Sequence, residues 1–187
     1  MLISDIELQN FRNYDYEKIK LNPNINIFYG DNAQGKTNII ESIFLVTFGK
    51  SFRANKEKEM IKKGQDFSNI NISYKNQYKS GNIKVQMSNK KSINVNGIKI
   101  KKLSELLGNI DIVLFTPDDI NILKNGPANR RRFLDMMIGQ IRPNYVYNLN
   151  MYLKTLEQRN NYLKQINKSQ NFNLEMFDIW EDRKSVV

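Results

Sequence analysis

The chain has 187 residues, enough for one domain or one lobe of a larger body, and contains neither cysteine nor histidine. Those absences exclude disulfides, thiolate chemistry, Cys-based zinc sites and Ser-His nucleophilic catalysis from within it, so a bound metal is expected to be a hard, oxygen-held ion such as Mg²⁺. Twenty-nine lysines and arginines against 19 acids give a net charge of +10, which suits a polyanion such as nucleic acid and equally suits a lysine-rich solvated surface.

Leu2 to Phe11 carries Ile3, Ile6, Leu8 and Phe11 as its apolar members and reads as a strand. The turn Asn10-Phe11-Arg12-Asn13-Tyr14 leads to a second strand around Ile19 and Leu21. It is either an ordinary polar turn or a place from which Arg12 reaches a bound nucleotide. After Pro23, the run Ile25-Asn26-Ile27-Phe28-Tyr29 reads as a short buried strand.

That run enters Gly30-Asp31-Asn32-Ala33-Gln34-Gly35-Lys36-Thr37, which fits the phosphate-loop pattern G-x-x-x-x-G-K-[ST]. Two glycines let the backbone curl so that its N–H groups face phosphate oxygens. Lys36 supplies a mobile positive charge, and Thr37 offers a hydroxyl to Mg²⁺. Ile39, Ile40, Ile43, Phe44, Val46 and Phe48 follow, apolar on so many sides that their helix is expected to be largely buried. Strand, glycine loop and helix aim the positive end of a helix dipole at an anion. The expected ligand is therefore a nucleotide with Mg²⁺.

Two strands ahead of the loop suggest the edge of a mixed sheet. Lys56 to Lys63 reads as a short amphipathic helix ending at Gly64, and residues 68 to 101 as an antiparallel β subdomain. Within it Ile93 and Val95 face Ile98 and Ile100 across Asn96-Gly97, a type I′ hairpin signal. Leu103 to Leu107 reads as a helical turn and Ile110 to Phe115 as an apolar strand. Asp118 and Asp119 then cap a helix or bind Mg²⁺ or a water. Beyond Gly126-Pro127 the pattern is helical to the end. Arg130-Arg131-Arg132 can pair with Asp135, face a phosphate backbone or meet another subunit. Leu149, Leu153, Leu156, Asn160 and Leu163 form a heptad-like seam, either packed on its own domain or part of a coiled-coil arm. No apolar stretch of about 20 residues and no signal peptide is found, so a soluble cytoplasmic protein with no membrane partner is expected.

Five blocks in order resemble the bacterial RecF family, from Met1 to about Trp180. They are Asn10 to Tyr14, Gly30 to Asn38, Gly49-Lys50-Ser51-Phe52-Arg53, Val113-Leu114-Phe115-Thr116-Pro117-Asp118-Asp119, and Gly126-Pro127-Ala128-Asn129-Arg130-Arg131-Arg132-Phe133-Leu134-Asp135. The resemblance implies an α/β fold, an ABC/SMC-type ATPase lobe with a mixed sheet and antiparallel β subdomain over residues 1–125, then the start of an α-helical lobe over 126–187. It implies ATP and Mg²⁺ as cofactors. Gly30, Asp31, Asn32, Ala33, Gln34, Gly35, Lys36, Thr37, Asn38 and Arg12 would contact the nucleotide, with Thr37 also on the metal. The implied role is ATP-dependent binding of DNA at single-strand gaps and their duplex junctions in recombinational repair and replication. RecO and RecR would be its partners in loading RecA, and ATP would drive homodimerisation. The other family considered is an SMC-like or overcoming-lysogenisation-type ATPase with a different effector domain. Asn125 stands where relatives tend to have a second glycine, and no glutamine occupies 116–119. Family members are about twice this length and carry a Walker B acid and a signature motif in their second half, neither of which is recognisable here. The expectation is an N-terminal part of a longer protein that binds ATP weakly, turns it over negligibly and is poorly soluble alone.

Overall fold

The computed structural model describes residues 1–75, 80–120 and 126–169, which fall into two units, Met1–Asn121 and Ile122–Val187. Asn125 and the tail containing Trp180, Glu181 and Asp182 lie outside the described residues, as does the side chain of Asp118.

In the first unit alternation decides the strands. They are β1 (Leu2–Phe11), β2 (Tyr14–Lys20), β3 (Ser68–Lys75), β4 (Ser80–Met87), β5 (Ser92–Val95) and β6 (Ile98–Lys99). They form a single sheet in the order β2-β1-β3-β4-β5-β6, antiparallel at every pairing. Register lines the apolar residues into rows: Leu8 faces Ile70, Ile70 faces Val85, and Val85 faces Ile93. The next row runs Ile6, Ile72, Ile83. On the opposite face Glu7, Asn71, Lys84 and Asn94 form a polar row. A slip of one residue would exchange the two faces, so the core fixes the register.

Helix α1 (Lys36–Phe48) lies against β3 and β4 and closes this core with Ile39, Leu45 and Val46. Its burial is as broad as the sequence implied: Glu41, Ser42 and Thr47 are inside together with its apolar residues. Gly49 ends it in the left-handed conformation at φ 69°, its N–H donating to the Leu45 carbonyl. The predicted hairpin is present, with Asn96 and Gly97 both at positive φ (51° and 82°).

Four expectations need correction. Ile25 to Tyr29 is not a strand, and only Phe28 packs against the core; Ile25, Ile27 and Tyr29 are 78%, 79% and 91% exposed. Ile110 to Phe115 forms no strand either, although Ile110 is buried; Val113 and Phe115 stand in solvent. An apolar run becomes a strand only when a neighbour takes up its N–H and C=O groups, and among the described residues none lies along either run. For the same reason the parallel part of a mixed sheet is missing among them, and the strands after α1 extend the N-terminal sheet instead of forming a separate subdomain. Finally, Lys56–Lys63 yields only a 3₁₀ turn at Glu57–Met60. The chain is then drawn out straight, because Lys62 N–H donates to the Asn10 carbonyl and Ile61 bridges Phe11. The helical turn expected from Leu103 is present as a 3₁₀ turn at Leu103–Glu105, and Pro117 opens a 3₁₀ turn at Pro117–Ile120.

The second unit contains α2 (Pro127–Ile141) and α3 (Pro143–Ser169), packed against one another. Pro127 occupies the first turn of α2, where a missing N–H costs nothing. Arg130, Arg131 and Arg132 are exposed, and Asp135, a candidate partner for one of them, accepts the Tyr145 hydroxyl at 2.5 Å. Along the α3 seam Leu149, Leu156 and Leu163 are half-buried, while Leu153 and Asn160 are exposed.

Because Leu45 is fully buried and joins α1 to the sheet, Leu45→Ala is expected to cost about 2–5 kcal/mol. Urea unfolding would show this as a lower midpoint with an unchanged slope.

Candidate phosphate-binding site

The loop between residues 30 and 37 owes its shape to backbone conformations few side chains tolerate. Gly30 lies at φ 139°, Ala33 at 65° and Gly35 at 104°. At Gly35 a Cβ would also come within 2.7 Å of the Tyr14 hydroxyl oxygen and 2.8 Å of Asn13 Oδ1. Glycine is required there by both conformation and space. Lys36 opens α1 directly behind Gly35, so the positive end of the helix dipole faces the loop.

The Lys36 ammonium curls back onto the loop, donating to the carbonyls of Gly30 (2.7 Å) and Asp31 (2.5 Å). A cavity of about 210 Å³ lies in front, lined by Asn32, Ala33, Gly35, Lys36, Thr37, Asn38 and Arg53. Two cations and the exposed Thr37 hydroxyl thus share one small space with no carboxylate in its lining. That donor set fits a phosphate chain, and a hydroxyl beside phosphate oxygens fits a hard cation. Among the described residues no cluster of three acids offers a rival metal site.

Behind the loop stands a group that the sequence reading did not identify. Glu41, one turn along α1, is fully buried, and its carboxylate accepts four hydrogen bonds. Arg12 donates through Nε at 2.9 Å and Nη2 at 2.7 Å, Arg53 through Nη2 at 2.7 Å, and Ser51 through Oγ at 2.5 Å. Ser51 Oγ also accepts the N–H groups of Arg53 and Ala54, which shapes the turn carrying Arg53. Arg53 passes the connection forward, donating to Asn38 Oδ1 at 2.6 Å. Asn38 donates to Asn13 Oδ1 at 2.7 Å, and Asn13 donates to the Gln34 carbonyl of the loop at 3.2 Å. One chain of hydrogen bonds therefore joins the buried carboxylate, the β1–β2 turn and the phosphate loop.

Of the residues Gly30 to Asn38, Asn32, Ala33, Gly35, Lys36, Thr37 and Asn38 line the cavity, while Gly30 and Asp31 hold Lys36 through their carbonyls. Arg12 stands differently. Its guanidinium is committed to Glu41 and, through Nη1 at 2.8 Å, to the Glu59 carbonyl. It lines a neighbouring hollow of about 590 Å³, not the cavity in front of the loop. Arg53 does line the loop cavity, a role that its place in the block Gly49 to Arg53 does not specify. The legible signal is a single acid among the apolar residues of a helix expected to be largely buried, since a buried carboxylate needs cations from elsewhere in the chain.

Burial pushes the Glu41 pKa up, but the hydrogen bonds from Arg12, Ser51 and Arg53 outweigh it, and the result is below the ordinary 4.5. A carboxyl that is more acidic folded than unfolded stabilises the fold above its unfolded pKa, and that stabilisation fades as pH falls through the folded one. Parent protein and Glu41→Gln should therefore differ most in unfolding free energy above about pH 5, and converge as acid protonates Glu41. At neutral pH Glu41→Ala should cost about 2–3 kcal/mol, below the 3–5 of a fully enclosed pair, because Arg53 keeps 39% of its side chain in solvent. Chemical denaturation of the three proteins across pH would check both statements.

Comparison with known proteins adds a lineage to this geometry. The sequence family described as AAA domain matches residues 5–185. The DNA replication and repair protein RecF of Clostridium acetobutylicum is 46% identical over 187 residues, covering 99% of this chain and 51% of that protein. RecF of Alkaliphilus oremlandii is 42% identical over 180 residues, covering 95% and 49%. A solved structure described as the recombination mediator protein RecF with ATP in the RecFOR pathway superposes with a TM-score of 0.87 at 35% identity, covering 97% of this chain and 49% of that one. The chain spans about half the length of the curated relatives it matches.

Proposed function

This chain belongs to the AAA domain family and is similar to the N-terminal half of RecF proteins; from that premise we propose that it binds ATP with Mg²⁺ and uses the bound nucleotide to control its hold on DNA during replication and repair. The observation that carries the reading is the cavity in front of the loop, whose lining brings together Lys36, Arg53 and Thr37. Relatives named for DNA replication and repair, and an ATP-bound RecF structure of the same fold, support it.

In this reading the loop residues Gly30 to Asn38 cradle the phosphates, Lys36 exchanges its carbonyl partners for phosphate oxygens, and Arg53 adds a second cation from the flank. Thr37 would hold Mg²⁺, which supplies charge neutralisation across the outer phosphates. Arg12 acts from behind, through Glu41, and meets a nucleotide only where it borders the adjoining hollow. Phosphoryl transfer depends on positioning and charge neutralisation more than on covalent chemistry. The residues seen here provide the cradle and the cations. Turnover by the longer protein is proposed to be slow and DNA-stimulated, with negligible turnover by this chain alone. RecO and RecR as partners, RecA loading at single-strand gaps, ATP-driven homodimers, a cytoplasmic setting and a helical lobe over 126–187 complete the proposal. The net charge of +10 supports the DNA contact.

Titration of a fluorescent ATP analogue with Mg²⁺ tests the nucleotide site. Saturable binding by the chain, weakened at least about tenfold in Lys36→Ala, is expected, since a charge-assisted hydrogen bond contributes about 1.5–3 kcal/mol. Equal affinity in the two proteins would refute the assignment of the loop.

A further inference from the structure

Three hollows of the first unit join end to end. The loop cavity shares Asn38 and Arg53 with the hollow of about 590 Å³ beside Arg12. That hollow shares Ile61 and Lys63 with a third, of about 620 Å³. The third is walled by the stretch leading into β3 and by the β4–β5 turn, and its lining includes Lys58, Lys62, Lys63, Phe67, Ser88 and Asn89. The three hollows therefore adjoin one another in a row, from the phosphate loop to the β4–β5 turn.

We propose that this third hollow is a binding site for single-stranded nucleic acid, with Lys58 and Lys63 on its phosphates and Phe67 stacked on an unpaired base. The assignment rests on the DNA-binding reading above and gives that reading a place on the molecule. Three observations converge. First, Lys58 and Lys63 are exposed and form no ion pair among the described residues, whereas Lys62 is held by Asp15 at 2.6 Å. Asp66 is the only acid in the lining, so the hollow keeps a positive balance. Second, Phe67 leaves 40% of its surface in solvent and lines the same hollow as these lysines. A large apolar ring held there has no use in the core, but it offers a stacking face. Third, Ser88 and Asn89 line the same space and bring hydrogen-bonding groups within reach of a base edge.

An acidic protein segment would use the lysines and leave the ring idle. A duplex would present its phosphates and keep its bases stacked out of reach of Phe67. Only a strand with an unpaired base engages all three features.

Fluorescence anisotropy of a labelled oligothymidylate of about 15 nucleotides, titrated with the chain from about 50 to 200 mM salt, decides the matter. Phe67→Ala should weaken oligothymidylate binding about tenfold and leave a duplex of the same length within about twofold, whereas Phe67→Trp should restore the parent affinity. Lys58→Ala combined with Lys63→Ala should lower the slope of log affinity against log salt by about 1.4, because single strands lose about 0.7 per phosphate contact. Parent-like affinity and slope in these variants would overturn the site while leaving DNA binding elsewhere intact. Absence of binding by the parent chain would overturn the site and the DNA-binding reading together. Displacement of the oligothymidylate by polyglutamate as readily as by unlabelled oligothymidylate would show a general anion site and overturn the nucleic-acid assignment.

Discussion

A buried carboxylate holds the working parts of this protein together. Glu41 has no solvent, so its charge persists only because Arg12, Arg53 and Ser51 supply four donors from two separate stretches of chain. An uncompensated carboxylate in that position would cost several kcal/mol, which obliges those stretches to meet. The β1–β2 turn is thereby fastened to α1, and the segment after α1 folds back beside the loop that precedes it. Arg53 reaches the phosphate cavity as a consequence of where Glu41 sits.

The sheet is governed by a different requirement. Its strands form where alternation gives each one an apolar face and a neighbour satisfies its backbone, as in the rows through Ile70 and Ile72. Ile25 to Tyr29 and Ile110 to Phe115 have the residues of strands without such a neighbour among the described residues, and they leave Ile25, Ile27, Val113 and Phe115 exposed. Hydrophobic composition supplies the tendency to be buried, and backbone pairing decides whether a strand results.

Charge is distributed in the same spirit. Lys62 and Lys91 serve the fold, one paired with Asp15, the other donating to the Gly49 carbonyl at the end of α1 and pairing with Glu57. Lys36, Lys58 and Lys63 line hollows that run outward from the phosphate loop. A net charge alone does not separate these roles, because a structural cation and a ligand-binding cation are the same residue in sequence.

The sequence by itself determined the local features. Glycine spacing set the loop from Gly30 to Thr37, Asn96-Gly97 set the hairpin turn, and period-two alternation set β1, β3 and β4, since each rests on steric or periodic rules that act over a few residues. Tertiary structure decided the rest. The single antiparallel sheet, the partners of Glu41, the diversion of Arg12 away from the loop cavity and the arrival of Arg53 within it all depend on contacts between residues well separated along the chain. Such contacts follow from what a buried charge or an unpaired backbone must find in space, and no short-range pattern encodes which distant residue will supply it.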